Sequence, residues 1–242
     1  LEEAIESILN QSYSNFEFII INDGSTDNTL NIIEEYMSTD SRIKLISREN
    51  KGFIYSLNEG IAHAKGYYIA RMDDDDISLP TRFEKQIEFL TDNPQIDILG
   101  CFVEVFGDID QSNKEWLEKT CNVDIQYSDE ATYLFGKGGT IAHPSFLIKR
   151  ESLIALGCYS NKYTAAEDLD LLVRAYMKGQ VIRVLPEILL KVRRHGLSKS
   201  KRENISNLLD AINIRLDYLQ PRIDWTKKIY IWGASKGGEL VK

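Results

Sequence analysis

The 242-residue sequence is short of cysteine, of long apolar runs and of surplus positive charge, and each shortage removes a class of function. Cys101, Cys121 and Cys158 fall at wide spacings with no CxxC pair, so neither a zinc site nor a disulfide framework is indicated, and they read as buried apolar thiols. No apolar run approaches the ~18 residues that would span a bilayer, and no signal-peptide pattern opens the chain. A cytoplasmic location follows, with peripheral attachment to the inner membrane face left open. A formal net charge of −8 and a pI near 5.1 argue against an extended phosphate-neutralising surface, so no nucleic-acid partner is expected. Repeats and low-complexity tracts are absent. With 43% hydrophobic and 27% charged residues, the composition is that of an ordinary globular enzyme.

Both ends read as cut. Leu1, Ala4, Ile5, Ile8 and Leu9 already form one apolar helical stripe, and a domain rarely starts there. At the other end, Lys228–Trp232 reads as a strand running into Gly233-Ala-Ser-Lys-Gly237-Gly238, which is either the opening of a phosphate-binding βα unit or a plain turn. Between them, strands at Phe16–Ile21, Arg42–Ser47 and Tyr67–Met72 alternate with helices at Thr29–Met37 and Gly52–Ala64. That alternation predicts an α/β fold with a doubly wound, mostly parallel sheet flanked by helices. Further on, a helix at Pro80–Leu90 and a strand at Asp97–Phe106 precede an irregular, polar stretch at 107–143, read as substrate-facing. After it come Pro144–Lys149, helices at Arg150–Leu156 and Glu167–Lys178, strands near Val181–Val184 and Glu187–Arg193, and an amphipathic helix over 201–219. The expected organisation is a nucleotide-binding half at 1–106, an acceptor half at 107–200, a helical extension at 201–225 and the start of a further Rossmann-like unit at 226–242.

In open α/β sheets ligands bind beyond the carboxyl ends of the strands, and two acidic motifs lie there. Asp23 follows the first strand within Asn22-Asp23-Gly24-Ser25; alone, such an Asp-Gly is a turn former. Asp73-Asp74-Asp75-Asp76 ends the third strand. Two unit charges ~4 Å apart at an effective dielectric of ~20 interact by ~4 kcal/mol, so gathering several carboxylates there calls for a cation. Mg2+ or Mn2+, hard ions that take oxygen ligands and often bridge substrate phosphates, would supply it; the alternative is a solvated acidic loop. A third motif, Thr164-Ala-Ala-Glu167-Asp168, fits a capping box in which Thr164 is the N-cap and Glu167 reaches back, leaving Asp168 to face a cleft. The competing reading is an acidic first turn favoured by the helix dipole. His63 reads as structural, and His143, before Pro144, either lines the acceptor site or is a loop histidine with no role.

Taken together, Asn22-Asp23-Gly24-Ser25-Thr26-Asp27, Asn50-Lys51-Gly52, Asn58-Glu59-Gly60, Ala64-Lys65-Gly66 and Tyr68-Ile69-Ala70-Arg71-Met72-Asp73-Asp74-Asp75-Asp76 with Pro80 resemble the inverting family 2 glycosyltransferases of GT-A fold. The resemblance runs from Leu1 to about Ser200 and weakens between 107 and 143. It implies that Asp23 holds the nucleotide base or ribose, that Asp73 contacts the ribose, and that Asp75 ligates the metal on the donor diphosphate with help from Asp76. Asn50 and Arg71 are further candidates for nucleotide contacts. The family's Glu-Asp motif matches Glu167 and Asp168 and implies that Asp168 is the catalytic base. Arg193-Arg194-His195-Gly196 resembles the segment that closes over the donor diphosphate, giving Arg194 and His195 as phosphate contacts. Such enzymes normally begin with a strand ending in a Pro-x-Tyr-Asn-like loop that also touches the base, and that segment is missing here.

The expected reaction is transfer of a sugar from a nucleoside diphosphate, a UDP-sugar first, onto a hydroxyl of a glycan or lipid-linked acceptor in bacterial cell-surface polysaccharide synthesis. Two rival readings are a metal-dependent phosphoryl or nucleotidyl transferase and a sugar-nucleotide binding module without turnover.

Overall fold

The computed structural model describes residues 1–123, 141–196, 204–222 and Thr226. The chain opens with α1 (Glu2–Leu9), whose Ala4, Ile5 and Ile8 are buried as the apolar stripe predicts. Next come β1 (Phe18–Asp23), α2 (Thr29–Thr39), β2 (Ile43–Arg48), α3 (Phe53–His63), β3 (Tyr68–Ala70), β4 (Ile77–Ser78) and α4 (Arg82–Asp92). The second half contributes β5 (Ile96–Gly107), α5 (Gln111–Cys121), a 3₁₀ turn (His143–Ser145), β6 (Leu147–Lys149), α6 (Arg150–Ala155), α7 (Glu167–Met177), β7 (Val181–Arg194) and α8 (Asn204–Leu219). Among the described residues no helix is long and apolar enough to cross a membrane.

The α/β class holds, and the pairing is mixed. Among the described residues, β1 and β2 form a parallel pair, while β3-β6-β5-β7-β4 form a second sheet. The long ladders, β1–β2 and β5–β7, are parallel; the short ones, β3–β6, β5–β6 and β4–β7, are antiparallel. Strands from both sides of residue 106 thus share one sheet. β1 and β3 each carry one ladder here, and both line an apolar cavity of about 1100 Å³ floored by side chains such as Ile5, Ile8, Phe83 and Ile87. Its polar end, at the carboxyl ends of β1 and β3, holds Asp23, Asn50, Arg71, Asp73 and Tyr159.

Two expectations need correction. The strands expected near Val181–Val184 and Glu187–Arg193 are one bulged strand, β7. Pro186 has no amide to donate, and the ladder slips around it, from Cys101↔Leu185 to Phe102↔Ile188 and again to Val103↔Leu190, before it continues in register. The polar stretch after residue 107 begins with a helix, α5, capped by the Asp110 carboxylate on the Asn113 amide at 3.0 Å. Its polarity serves the sheet. Asn122 both accepts from the Val103 amide (2.7 Å) and donates to its carbonyl (2.8 Å), and Glu118 accepts from the Val105 amide (2.8 Å). These side chains take the place of a neighbouring strand along β5. Residues 124–140, including Lys137-Gly138-Gly139, and the Gly-rich segment after Lys228 lie outside the described residues.

α7 is apolar on two sides. Leu171, Leu172 and Ala175 pack into the main core with Ile98, Ile148 and Ile182, while Leu169 and Val173 pack against Ile214 and Tyr218 of α8. A helix gripped from both sides presents its N-terminus as a fixed platform, and that N-terminus carries Glu167 and Asp168.

Candidate active site

Asp23 is the last residue of β1, in register with Arg48 of β2. Its carboxylate pairs with Arg48 and accepts from the Lys51 amide (2.7 Å) and the Gly52 amide (3.0 Å). Arg48 also holds Glu59 at 2.7 Å and Ser56 at 3.0 Å. Burial raises the Asp23 carboxyl, but the Lys51 amide and Arg48 outweigh it and leave it lowered. Asp23 therefore anchors the 49–52 loop as an ionised group and brings Asn50 beside it.

Gly24 makes this approach feasible. Its φ is +78°, and a Cβ there would stand 2.7 Å from the Asn50 nitrogen. Gly24→Ala is expected to destabilise the protein by at least about 1–2 kcal/mol from backbone conformation alone, and to weaken UDP binding by displacing Asn50. Urea denaturation with UDP calorimetry checks this; unchanged values for both would show that the loop yields freely.

Arg71, 9% exposed, grips Asp73 with both terminal guanidinium nitrogens and receives backbone support through its amide, which donates to the Phe146 carbonyl at 2.9 Å. The side chain expected to touch nucleotide thus also aims the Asp73 carboxylate, which is 37% exposed. Beneath this turn lies Arg82, wholly buried, donating to the Arg71 carbonyl (2.9 Å) and to Gln86 (3.1 Å). The sequence reading missed Arg82 because an arginine on a helix following an acidic turn reads as exposed.

The next two aspartates differ. Asp75 is 35% exposed, its Oδ2 lies 3.1 Å from His195 Nε2, and its carbonyl accepts from Arg193 Nε at 2.9 Å. Asp76 is 1% exposed; Oδ1 accepts from the Arg193 amide (2.8 Å), and Oδ2 has no hydrogen-bond partner among the described residues. Burial, then the charges of Asp73 and Asp75, push its carboxyl up to about 7. A folded-state value above the ordinary one makes the group's stabilising contribution fully present below about pH 4 and lost as pH rises through about 7. In EDTA, unfolding free energy is expected to fall between those limits by up to about 1.4 kcal/mol per pH unit, and Asp76→Asn to flatten that slope. Equal slopes in urea titrations of the two proteins would refute it.

No group of three or more His, Cys, Asp or Glu side chains among the described residues is arranged to hold a metal unaided. An open carboxylate on Asp75 and a buried, unpartnered oxygen on Asp76 are the hard-oxygen donors that the acidic turn offers. Such donors suit a Mg2+ or Mn2+ ion shared with substrate phosphates and water. Arg194 closes β7 opposite Gly107, and His195 follows it.

The remaining elements converge on Tyr159, a residue the sequence reading passed over. It is buried, and its backbone is clamped by Asn58, which accepts from its amide (3.0 Å) and donates to its carbonyl (2.9 Å) across 101 positions. The preceding turn is held by Arg174, which donates to the Leu156 and Cys158 carbonyls and pairs with Asp170. The Tyr159 phenol is raised by burial and by Asp168, Glu167 and Asp73, with Arg71 opposing. Carboxylates of the first and second halves thus act on one ring.

α7 overturns the capping-box expectation. Its N-cap is Ala166, with no side-chain cap bond, so Glu167 is the first helical residue and not the third. Asp168 Oδ1 accepts from the Leu169 amide at 2.8 Å. Glu167, 6% exposed, turns instead to His143: Oε1 lies 3.7 Å from Nδ1.

The family model described as glycosyl transferase family 2 matches residues 1–157. An uncharacterized glycosyltransferase of Haemophilus influenzae is 34% identical over 267 residues, covering 100% of this chain and 79% of that protein. The O-antigen biosynthesis glycosyltransferase WbnJ of Escherichia coli is 31% identical over 203 residues, covering 82% and 76%. Among solved structures, Staphylococcus aureus TarS 1-349 in complex with UDP superposes with a TM-score of 0.65 at 17% identity, over 93% of this chain and 69% of that one. The mannosyltransferase PcManGT from Pyrobaculum calidifontis, in complex with GDP-Man and Mn2+, gives 0.65 at 19% identity, over 88% and 60%. These structural likenesses establish the fold.

Proposed function

Because this chain belongs to glycosyl transferase family 2 and is an enzyme of the glycosyltransferase type, we propose that it transfers a sugar from a nucleoside-diphosphate donor to an acceptor hydroxyl with inversion. The observation that carries the reading is the gathering of Asp23 and Arg71–Asp73 around the polar end of one cavity that Tyr159 also lines, with the charges of Asp168, Glu167 and Asp73 all acting on the Tyr159 phenol. In this reading Asp23, Asn50, Arg71 and Asp73 bind the base and ribose, while Arg194 and His195 contact the diphosphate. Asp75 first, then Asp76, would hold a divalent cation there, and when bound it would offset charge on the departing diphosphate.

Asp168 accepts the acceptor's hydroxyl proton as the oxygen bonds to the anomeric carbon. The bond from that carbon to the diphosphate oxygen breaks on the opposite face, and the electron pair leaves with the nucleoside diphosphate. No covalent intermediate on the protein is needed. The donor is a UDP-sugar in the first instance, because TarS was solved with UDP; GDP-Man in PcManGT makes GDP-sugars the next choice. A glycan or lipid-linked acceptor, at the cytoplasmic face of the membrane in surface-polysaccharide synthesis, is proposed from the named role of WbnJ.

A screen of nucleotide-sugar donors with Mn2+ or Mg2+, scored by released nucleoside diphosphate and by product stereochemistry, tests this. Release of phosphate or pyrophosphate would identify a phosphoryl or nucleotidyl transferase instead. Donor binding without turnover would identify a binding module.

A further inference from the structure

We propose that His143 is a positioning residue for sugar transfer, which fixes Glu167 and through it the helix turn that carries Asp168. The proposal rests on the reading of Asp168 as base and goes beyond it by assigning work to three residues outside the reacting atoms.

His143 is 7% exposed and starts the 3₁₀ turn that leads into β6, so its backbone is tied to the sheet. Its ring packs edge-on against Phe146 at 5.2 Å and tilted against Tyr159 at 5.4 Å. Both ring nitrogens are engaged: Nε2 lies 2.7 Å from the Tyr159 hydroxyl and Nδ1 lies 3.7 Å from Glu167 Oε1. The second distance is too long for a direct hydrogen bond and short enough for electrostatic attraction.

The proposal assigns one tautomer to His143. Nε2 shares a 2.7 Å hydrogen bond with the Tyr159 hydroxyl, and with the phenol as its donor the imidazole proton resides on Nδ1, the nitrogen on the Glu167 side. A carboxylate buried at a helix N-terminus gains from the dipole but is costly to desolvate, and an N–H aimed at it offsets part of that cost. Asn58 locks Tyr159, Tyr159 sets the tautomer of His143, and His143 holds Glu167, one residue before Asp168. A small displacement of a general base is enough to lower a rate, because proton transfer depends on short-range geometry.

Side-chain amides separate the two contacts of His143. The asparagine amide reaches the Nδ1 position and the glutamine amide reaches that of Nε2. Transfer kinetics, UDP affinity and thermal denaturation would be measured for His143→Asn, His143→Gln, Tyr159→Phe, Glu167→Gln and the double variant His143→Gln/Glu167→Gln.

The expected result is a fall in kcat of about tenfold for His143→Gln, with UDP affinity and acceptor KM within about twofold, and recovery of most of that loss in His143→Asn. On the Glu167→Gln background, His143→Gln should cost no more than about a further twofold, because the partner it acts through is already altered. Tyr159→Phe, which keeps the ring packing, should lower kcat in the same pattern.

Equal kcat for the Asn and Gln variants would overturn the proposal. So would the same fold-loss on both backgrounds, or losses that follow melting temperature alone. If Asp168→Asn transfers sugar normally, the base assignment fails, yet the His143–Glu167 coupling is still read from the double variant.

Discussion

Asp168→Asn is expected to lower the turnover number by roughly 10²-fold or more while leaving nucleoside-diphosphate affinity within a few-fold. A sugar hydroxyl at neutral pH is a poor nucleophile, and a positioned carboxylate that removes its proton typically contributes ~10²–10⁴-fold in rate. Asn is nearly isosteric and keeps an oxygen for the Leu169 amide, so α7 should keep its start. The other acids are occupied elsewhere: Asp23 on the 49–52 loop, Asp73 on Arg71, Asp76 on the Arg193 amide. Glu167 is turned toward His143, and Glu167→Gln is therefore expected to cost about tenfold, through position, and not the larger factor. Rates of transfer and calorimetric affinities for both variants decide the assignment. A larger loss in the Glu167 variant would move the base to that residue.

The second large effect is expected at Asp75. Its carboxylate is the more open of the two metal candidates, held by His195 on one oxygen, whereas Asp76 is sealed beneath the turn. Asp75→Asn should reduce manganese-supported turnover by on the order of 10²-fold or more, since an amide is a weaker ligand for a hard cation than a carboxylate. The same change should weaken UDP binding when Mn2+ is present and leave it nearly unchanged in EDTA. Calorimetry in the two buffers gives a readout independent of catalysis. Equal weakening in both would mean that Asp75 contacts the nucleotide or shapes the loop without ligating metal.

Why one part of the site was legible and another was not can be traced residue by residue. Strand β1 ending in Asn22-Asp23-Gly24-Ser25 is a local pattern: the apolar run stops, the Asn22 side chain accepts from the Ser25 amide at 3.0 Å, and Gly24 supplies the positive φ. The acidic turn after β3 was equally visible, because four adjacent carboxylates announce themselves whatever the fold. Partner choice was not visible. Arg48 meets Asp23 through the register of a parallel ladder, Asn58 meets Tyr159 across 101 positions, and Asp75 meets His195 across 120. Nothing in composition or spacing encodes those distances.

The α7 start illustrates the limit. Thr164 and Glu167 have capping-box spacing, yet the helix begins at Glu167, where tertiary contacts outweigh the local motif: Asp210 accepts from the Ala165 amide (2.9 Å), and Asn207 donates to the Ala165 carbonyl (2.5 Å). Helix α8 thus holds the approach to α7 in a conformation that excludes the earlier cap.

By itself, then, the sequence determined the α/β class, the order of most elements, and the acidic motifs at the ends of strands β1 and β3, because hydrophobic periodicity and turn chemistry act over a few residues. Only the tertiary structure decided which carboxylates are open and which are sealed, that Arg71 aims Asp73, and that His143 and Tyr159 stand behind Glu167. Burial and charge pairing are properties of neighbours in space, and these neighbours are brought together by sheet register and helix packing.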